Sequence, residues 1–217
     1  MALLVEGRKL LFAAETSEEN NRWYLYLLCK NSELTYLRKL QVTKGIPAPG
    51  VLRFLRQPLI TKLNLDNVPL PLDALVALSA PLRIHECVVH LSLRYAELDD
   101  LSLHTICESL KTNSAIEVLD LEGNQITADG MKKLAVVLEK NPKLKSINLR
   151  RNGIGDEGAK HLARVLQTGV HPGLTTLQLD YNQIGPVGAE SLAQGLVKLP
   201  NFPVVALNGN QIGDRGT

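Results

Sequence analysis

Aromatic residues make up only 4% of the 217-residue chain, too few to build the stacking platforms that hold single-stranded nucleic acid. Charge of one sign is also missing: 24 Lys and Arg stand against 22 Asp and Glu, a formal net charge of +2. Such a balance gives no broad attraction to nucleic acid or to anionic lipid. Apolar runs are short. None approaches the roughly 18 residues that a membrane span needs, so membrane insertion is not expected. The start, MALLVEGRKLLF, has a four-residue apolar patch before Glu6, Arg8 and Lys9, too short for the apolar region of a secretory signal. The three cysteines, Cys29, Cys87 and Cys107, lie far apart and form no CxxC. An odd, scattered set excludes a disulfide framework and fits a reducing, cytoplasmic setting.

Catalytic signatures are missing too. No P-loop, GxSxG, HExxH or GxGxxG occurs, so no enzyme, catalytic residue or cofactor is expected. His85, Cys87, His90, His104 and Cys107 cluster in sequence. Cys87 and His90 are expected on opposite faces of a strand, and Cys107 points by its spacing into a core, where cysteine is commonly a small hydrophobe. No metal site is assigned. Asp99 and Asp100 precede a helix, where carboxylates stabilise the N-terminus. Lys132, Lys133, Lys140, Lys143 and Lys145 read as a solvated helix face and loop rather than a nucleic-acid patch.

What the chain has is leucine, 41 residues of it, arranged with a long period. Six segments share the pattern aliphatic-x-x-aliphatic-x-Leu-x-x-(Asn or small)-x-aliphatic. They begin at Ile60, Val88, Ile116, Leu144, Leu174 and Phe202, at intervals of 28, 28, 28, 30 and 28 residues. A degenerate seventh copy, LTYLRKLQVTKGI, begins at Leu34. Between these segments apolar residues recur at helical spacing, as in Leu134, Val137 and Leu138, and in Leu162, Val165 and Leu166. Each unit is thus a short strand, a turn and a helix. One unit alone cannot cover both faces; stacked units bury one continuous core.

These segments resemble the leucine-rich repeat family, in its ribonuclease-inhibitor-like subtype, over residues 34–217. The resemblance implies an α/β solenoid, a horseshoe with parallel strands on the concave face and helices on the convex face. About seven units are expected, the last one truncated. Asn124, Asn152, Asn182 and Asn210 recur just after the strands, where a buried amide can satisfy turn backbone groups. Val68 and Ala96 replace Asn in the earlier units. Six residues after this row a small residue stands every time, Ala74, Ser102, Gly130, Gly158, Gly188 and Gly216, as expected where helix starts approach closely.

Residues 1–33 do not fit the repeat. RKLLFAAET reads as a strand, and TSEENNRWYLYLLCK as a helix opened by a capping box of Thr16 and Glu19. This stretch resembles the closing strand and C-terminal helix of a pleckstrin-homology domain. The strands and basic loop that bind phosphoinositides in that family have no counterpart, so phosphoinositide binding is not expected. The segment is read as an N-terminal cap. At the other end GDRGT, from Gly213, matches GDEGA, from Gly155, where a helix begins. The last unit therefore has a strand without its helix, which points to a longer array, a covering partner or self-association.

Strand alternation sends three rows outward: one from Lys62 to Val204, a central one from Asn64 to Ala206, and a third of Asp66, Arg94, Glu122, Arg150, Asp180 and Asn208. The third row alternates in sign over five strands, so lateral pairing of opposite charges is expected. Beside it lie Asn67, Tyr95, Gly123, Arg151, Tyr181 and Gly209. Tyr and Arg are frequent interface anchors. Arg94, Tyr95, Glu122, Arg150, Arg151, Asp180 and Tyr181 are therefore the candidate partner-binding residues of a non-catalytic protein-interaction scaffold. A pleckstrin-like element followed by these repeats is similar to the actin-regulating capping-protein-linker group, and innate-immune receptors share the repeat subtype. Ran GTPase activators share it as well, which makes a GTPase-activating protein the alternative; accelerated GTP hydrolysis by a small GTPase would identify it.

Overall fold

The computed structural model describes residues 2–5, 8–11, 29–38, 40–41, 49–56, 60–169, 173–199 and 203–213. Its centre is a parallel sheet of six strands in sequence order: β3 (Lys62–Asn64), β4 (His90–Ser92), β5 (Val118–Asp120), β6 (Ser146–Asn148), β7 (Thr176–Gln178) and β8 (Val204–Ala206). Five helices alternate with them: α3 (Leu72–Ile84), α4 (Asp100–Leu110), α5 (Ala128–Lys140), α6 (Gly155–Gln167) and α7 (Pro186–Leu196). The register is the one the repeat dictates. Lys62 lies opposite His90, His90 opposite Val118, and so on to Thr176 opposite Val204. This is the solenoid implied by the leucine-rich pattern.

Burial explains the register. The middle residue of β3 to β7, Leu63, Leu91, Leu119, Ile147 and Leu177, is at most 1% exposed and faces the helix layer. A slip by one residue would turn all five to water. The next aliphatic, Leu65, Leu93, Leu121, Leu149 and Leu179, is equally buried, and with the helix stripes it forms one core running the length of the stack. At β8 the core opens: Val205 and Leu207 are only partly buried.

Helix starts fit against one another through the small-residue row. A Cβ on Gly158 would lie 3.2 Å from Met131 Cγ of the preceding helix, and one on Gly188 would lie 2.6 Å from Asp156 Oδ1. Carboxylates stitch the same edge. Asp100 accepts from the Thr127 amide at 2.8 Å and hydroxyl at 2.6 Å, and Asp156 accepts from the amides of Gly185 at 2.6 Å and Gly188 at 3.0 Å. Asp99 caps α4 by accepting from the Ser102 amide at 2.8 Å; the Ser102 hydrogen bonds hold its carboxyl below the usual carboxylate range.

The N-terminal part differs from expectation. Ala2–Val5 (β1) and Arg8–Leu11 (β2) pair antiparallel; β2 falls in the expected strand and β1 is additional. The capping box at Thr16 and Glu19 lies outside the described residues. Residues 29–38 and 40–41 are helical (α1), so the copy beginning at Leu34 is not a repeat strand. Its leucines, three apart, suit a helix as well. The buried residues Cys29, Glu33, Tyr36 and Leu40 follow helical spacing, while Leu34 is 42% exposed. Pro49–Arg56 (α2) then supplies Val51, Phe54 and Leu55 to the core beneath β3. Glu33 ties the two helices, accepting from Lys30 at 2.8 Å and from Arg56 at 2.6 Å. The Lys30 hydrogen bond is the main cause holding its carboxyl below the usual range.

Candidate docking face

The sheet's outward face ends in a turn repeated six times. Parallel hydrogen bonding runs on past each strand into it: Tyr95 donates its amide to Glu122 O at 2.8 Å, Arg151 to Asp180 O at 2.9 Å, and Tyr181 to Asn208 O at 2.8 Å. The residue at this place has positive φ in every unit: Asn67 (58°), Tyr95 (50°), Gly123 (70°), Arg151 (55°), Tyr181 (56°) and Gly209 (68°). Glycine and asparagine adopt this conformation readily; tyrosine and arginine do so at a cost, and such residues cluster where a side chain must be aimed.

Under the turns runs the amide ladder. Asn124 Nδ2 donates to the carbonyls of Leu93 and Leu121, both at 2.9 Å, while its Oδ1 accepts from the amides of Ala96 at 3.1 Å and Leu98 at 3.0 Å. Asn152 donates to Leu121 O at 3.0 Å and Leu149 O at 2.9 Å and accepts from the Ile126 amide at 3.1 Å. Asn182 donates to Leu149 O at 2.8 Å and accepts from the Asn152 amide at 3.2 Å. Asn210 accepts from Asn182 at 2.8 Å and Ile184 at 3.1 Å. Each amide thus bridges neighbouring units. A second ladder went unread in the sequence. His85, Asn113 and Asn141, 28 residues apart, are all buried at the opposite end of the sheet. Asn113 donates to Leu82 O and His85 O, Asn141 to Leu110 O and Asn113 O, and His85 Nδ1 accepts from the Val88 amide at 3.1 Å.

Of the His/Cys group, His85 and Cys107 are fully buried. Cys87 lies in the turn before β4 rather than in the strand. Cys107 is fully buried, and burial pushes its thiol up to about 12. Among the described residues no three His, Cys, Asp or Glu side chains gather as a metal-binding group would require.

The charge row does not pair as its alternation suggests. Of the lateral contacts expected, Arg94 with Glu122 closes, at 2.9 Å. Asp66 instead accepts from the Ser92 hydroxyl and, at 3.0 Å, from the Arg94 amide. Asp180 accepts from the Asn208 amide at 2.7 Å. The aspartates are short and stand beside the next unit's turn, so backbone amides capture them. Glu122, one methylene longer, reaches the guanidinium. Its other contacts complete a closed cluster: Tyr95 donates its hydroxyl to Oε1 at 3.1 Å, and Asn148 donates to Oε2 at 3.3 Å. Burial opposes the charge on Arg94, but Glu122, Asp120 and Asp66 outweigh it and raise the guanidinium above its ordinary value.

Three strands on, the pieces are similar and the outcome is not. Arg150 and Arg151 place their guanidinium carbons 5.2 and 5.5 Å from the centre of the Tyr181 ring. Neither makes a salt bridge among the described residues, and Arg150 Nε is buried without an acceptor. Both tyrosines rest on a glycine: a Cβ on Gly123 would overlap the Tyr95 ring, and one on Gly209 the Tyr181 ring. Sequence reasoning placed Gly123 and Gly209 beside the charge row and Asp120 and Asn148 in the central row but gave these residues no part in the site. The Tyr-then-Gly alternation along one row was their signal.

A Leucine Rich repeat family model matches residues 112–135, 140–163 and 171–193. Among solved structures the chain is similar to one titled Leiomodin-1 Actin-Binding Site 2, with a TM-score of 0.54 and 21% identity over 70% of this chain and 92% of that one. It is also similar to the tropomodulin C-terminal domain of Caenorhabditis elegans, with a TM-score of 0.54 and 12% identity over 65% of this chain and 85% of that one. Identities this low establish the fold. No curated protein matches the chain by sequence.

Proposed function

We propose that this chain is a non-catalytic protein-interaction module of the cytoplasm. It docks its partner on the outward face of the sheet, at the rim that carries Arg150, Arg151 and Tyr181. Arg94, Tyr95, Glu122 and Asp180 frame that rim. The observation that carries the reading is the pair of guanidinium groups that make no salt bridge among the described residues, held against an exposed tyrosine on turns with left-handed backbone. Large flat side chains that are held rigid lose little freedom on binding, which is what interface anchors need. The leiomodin-1 structure is titled for an actin-binding site, and this makes actin the first partner to test. The actin-regulator reading rests on that fold likeness and on the pleckstrin-like resemblance of the N-terminus.

Direct binding to monomeric and filamentous actin tests it. Wild-type chain is expected to bind, and Tyr181→Ala with Arg150→Ala to lose at least about tenfold in affinity, as truncated anchors do, with an unchanged thermal midpoint. Undiminished binding by that variant would move the site off this face. No binding by the wild type to either form would remove actin as the partner.

A further inference from the structure

Arg150 is flanked by a carboxylate in the turn of each neighbouring unit, Glu122 before it and Asp180 after it, yet pairs with neither. Glu122 spends both oxygens on Arg94, Tyr95 and Asn148. Asp180 is 8% exposed and turned to the Asn208 amide. Arg150 Nε is buried and short of an acceptor, as Arg94 Nε is too, but Arg94 still reaches Glu122 at 2.9 Å; an unmet buried donor costs free energy until an acceptor arrives. Arg151 adds a second charge on the same ring. The two cations repel, and Tyr181, 47% exposed, holds them together by its ring face.

We propose that Arg150 and Arg151, braced on Tyr181, form a receptor for the side-chain carboxylates of an acidic segment of the protein partner. This rests on the docking reading above and names what docks. Guanidinium forks match carboxylates in a bidentate fashion. The receptor is built in advance, because the turn amides of Arg151 and Tyr181 are locked to the next unit and Gly209 beds the ring. Charge complementarity selects a short acidic peptide over a nucleic acid. The positive spot is two residues wide, it is bordered by Glu122 and Asp180, and the chain's net charge is only +2. A continuous phosphate backbone would meet those carboxylates; a short acidic stretch fits between them.

Arginine side-chain Nε–H resonances of the intact chain provide the test, followed while hexaglutamate is added to several millimolar, with hexaglutamine as control. The expected result is a saturable shift at Arg150 and Arg151, little change at Arg94, a loss of affinity as salt is raised, and no response to hexaglutamine. Arg150→Gln with Arg151→Gln should lower hexaglutamate affinity at least about tenfold. Silence at both arginines, or affinity unaffected by that variant, would overturn the proposal. So would tighter binding of inorganic phosphate or a short single-stranded oligonucleotide at the same two resonances. The docking reading fails separately. A chain that loses its partner with Tyr181→Ala and Arg150→Ala, yet ignores hexaglutamate, keeps the docking face and loses the carboxylate receptor. One that binds hexaglutamate but keeps its partner through the double variant does the reverse.

Discussion

Tyr95 and Tyr181 stand at equivalent places in the repeat; Tyr95 meets Arg94 of its own unit, while Tyr181 meets Arg150 and Arg151 of the unit before it. Both tyrosines have left-handed backbone, both lie over a glycine of the next unit, and both have an arginine within 6 Å of the ring. The first group is closed upon itself: Arg94 grips Glu122, and Tyr95 donates to the same carboxylate. The second is open, with two guanidinium groups that take up no carboxylate among the described residues. The difference comes from one side chain. Glu122 lies between two arginines and turns to Arg94, and Asp180 is too short and too occupied to replace it at Arg150. A repeat thus fixes where side chains stand, while their neighbours decide which remain available to a partner.

The largest expected effect breaks what both groups share. Leu121 is fully buried in the unit between them. Leu121→Ala should cost about 2–5 kcal/mol, the range for a leucine cavity in a core, seen as a lowered midpoint in thermal or denaturant unfolding. An unchanged midpoint would mean the core is not continuous through that unit. Next comes the support of the open group alone. Asn182 bonds Leu149 O, Asp180 O and the Asn152 amide beneath the Tyr181 turn. Asn182→Ala should cost about 1–3 kcal/mol, the penalty for stranding buried backbone groups. Hydrogen exchange should quicken at Asn152 and at the Tyr181 turn while the Tyr95 turn stays protected. Equal quickening at both turns would show that the two groups do not stand on separate supports.

Most of this architecture was readable because a repeat states each position several times. The strand register, the amide row and the small-residue row all followed from the 28-residue interval. The ladder of His85, Asn113 and Asn141 obeys the same interval but changes residue type at its first step, which hid it. The helix over residues 29–38 and 40–41 was expected at its first two residues and misread from Leu34 onward for another reason. Leucines three apart fit both a repeat strand and a helix, and no Asn turn anchored the choice. The pairing of Glu122 was beyond the sequence. Two arginines flank it at equal intervals, and the selection is made by the Tyr95 hydroxyl and Asn148, contacts that exist only once the turns are built.

The glycine beds sharpen the comparison further. Gly123 and Gly209 have φ of 70° and 68°, and each lies under a tyrosine ring. Alanine at either place should cost about 1–2 kcal/mol for the left-handed backbone and should push the ring away. The stability loss is expected to be alike in Gly123→Ala and Gly209→Ala, measured by denaturant midpoint. Binding to the partner or to hexaglutamate is expected to separate them. Gly209→Ala dislodges the brace of Arg150 and Arg151 and weakens binding; Gly123→Ala disturbs only the closed group. Equal weakening by both would erase the distinction between the two groups.

The smallest effect probes the closed group from within. Tyr95→Phe removes one hydroxyl, which donates to Glu122 Oε1 at 3.1 Å. The side chain is 37% exposed, so water can replace the lost donor, and the cost should be about 0.5–1 kcal/mol, below the roughly 1.5–3 kcal/mol of a hydrogen bond to a charged group that water cannot replace. Glu122 would still be held through its other oxygen by Arg94 at 2.9 Å and Asn148 at 3.3 Å. It should therefore stay turned away from Arg150, and hexaglutamate affinity should stay within about twofold of wild type, a difference of about 0.4 kcal/mol. A larger fall would mean that the Tyr95 hydroxyl alone keeps Glu122 from Arg150. The open group would then owe its availability to that single hydrogen bond, and the two groups would act as one coupled surface.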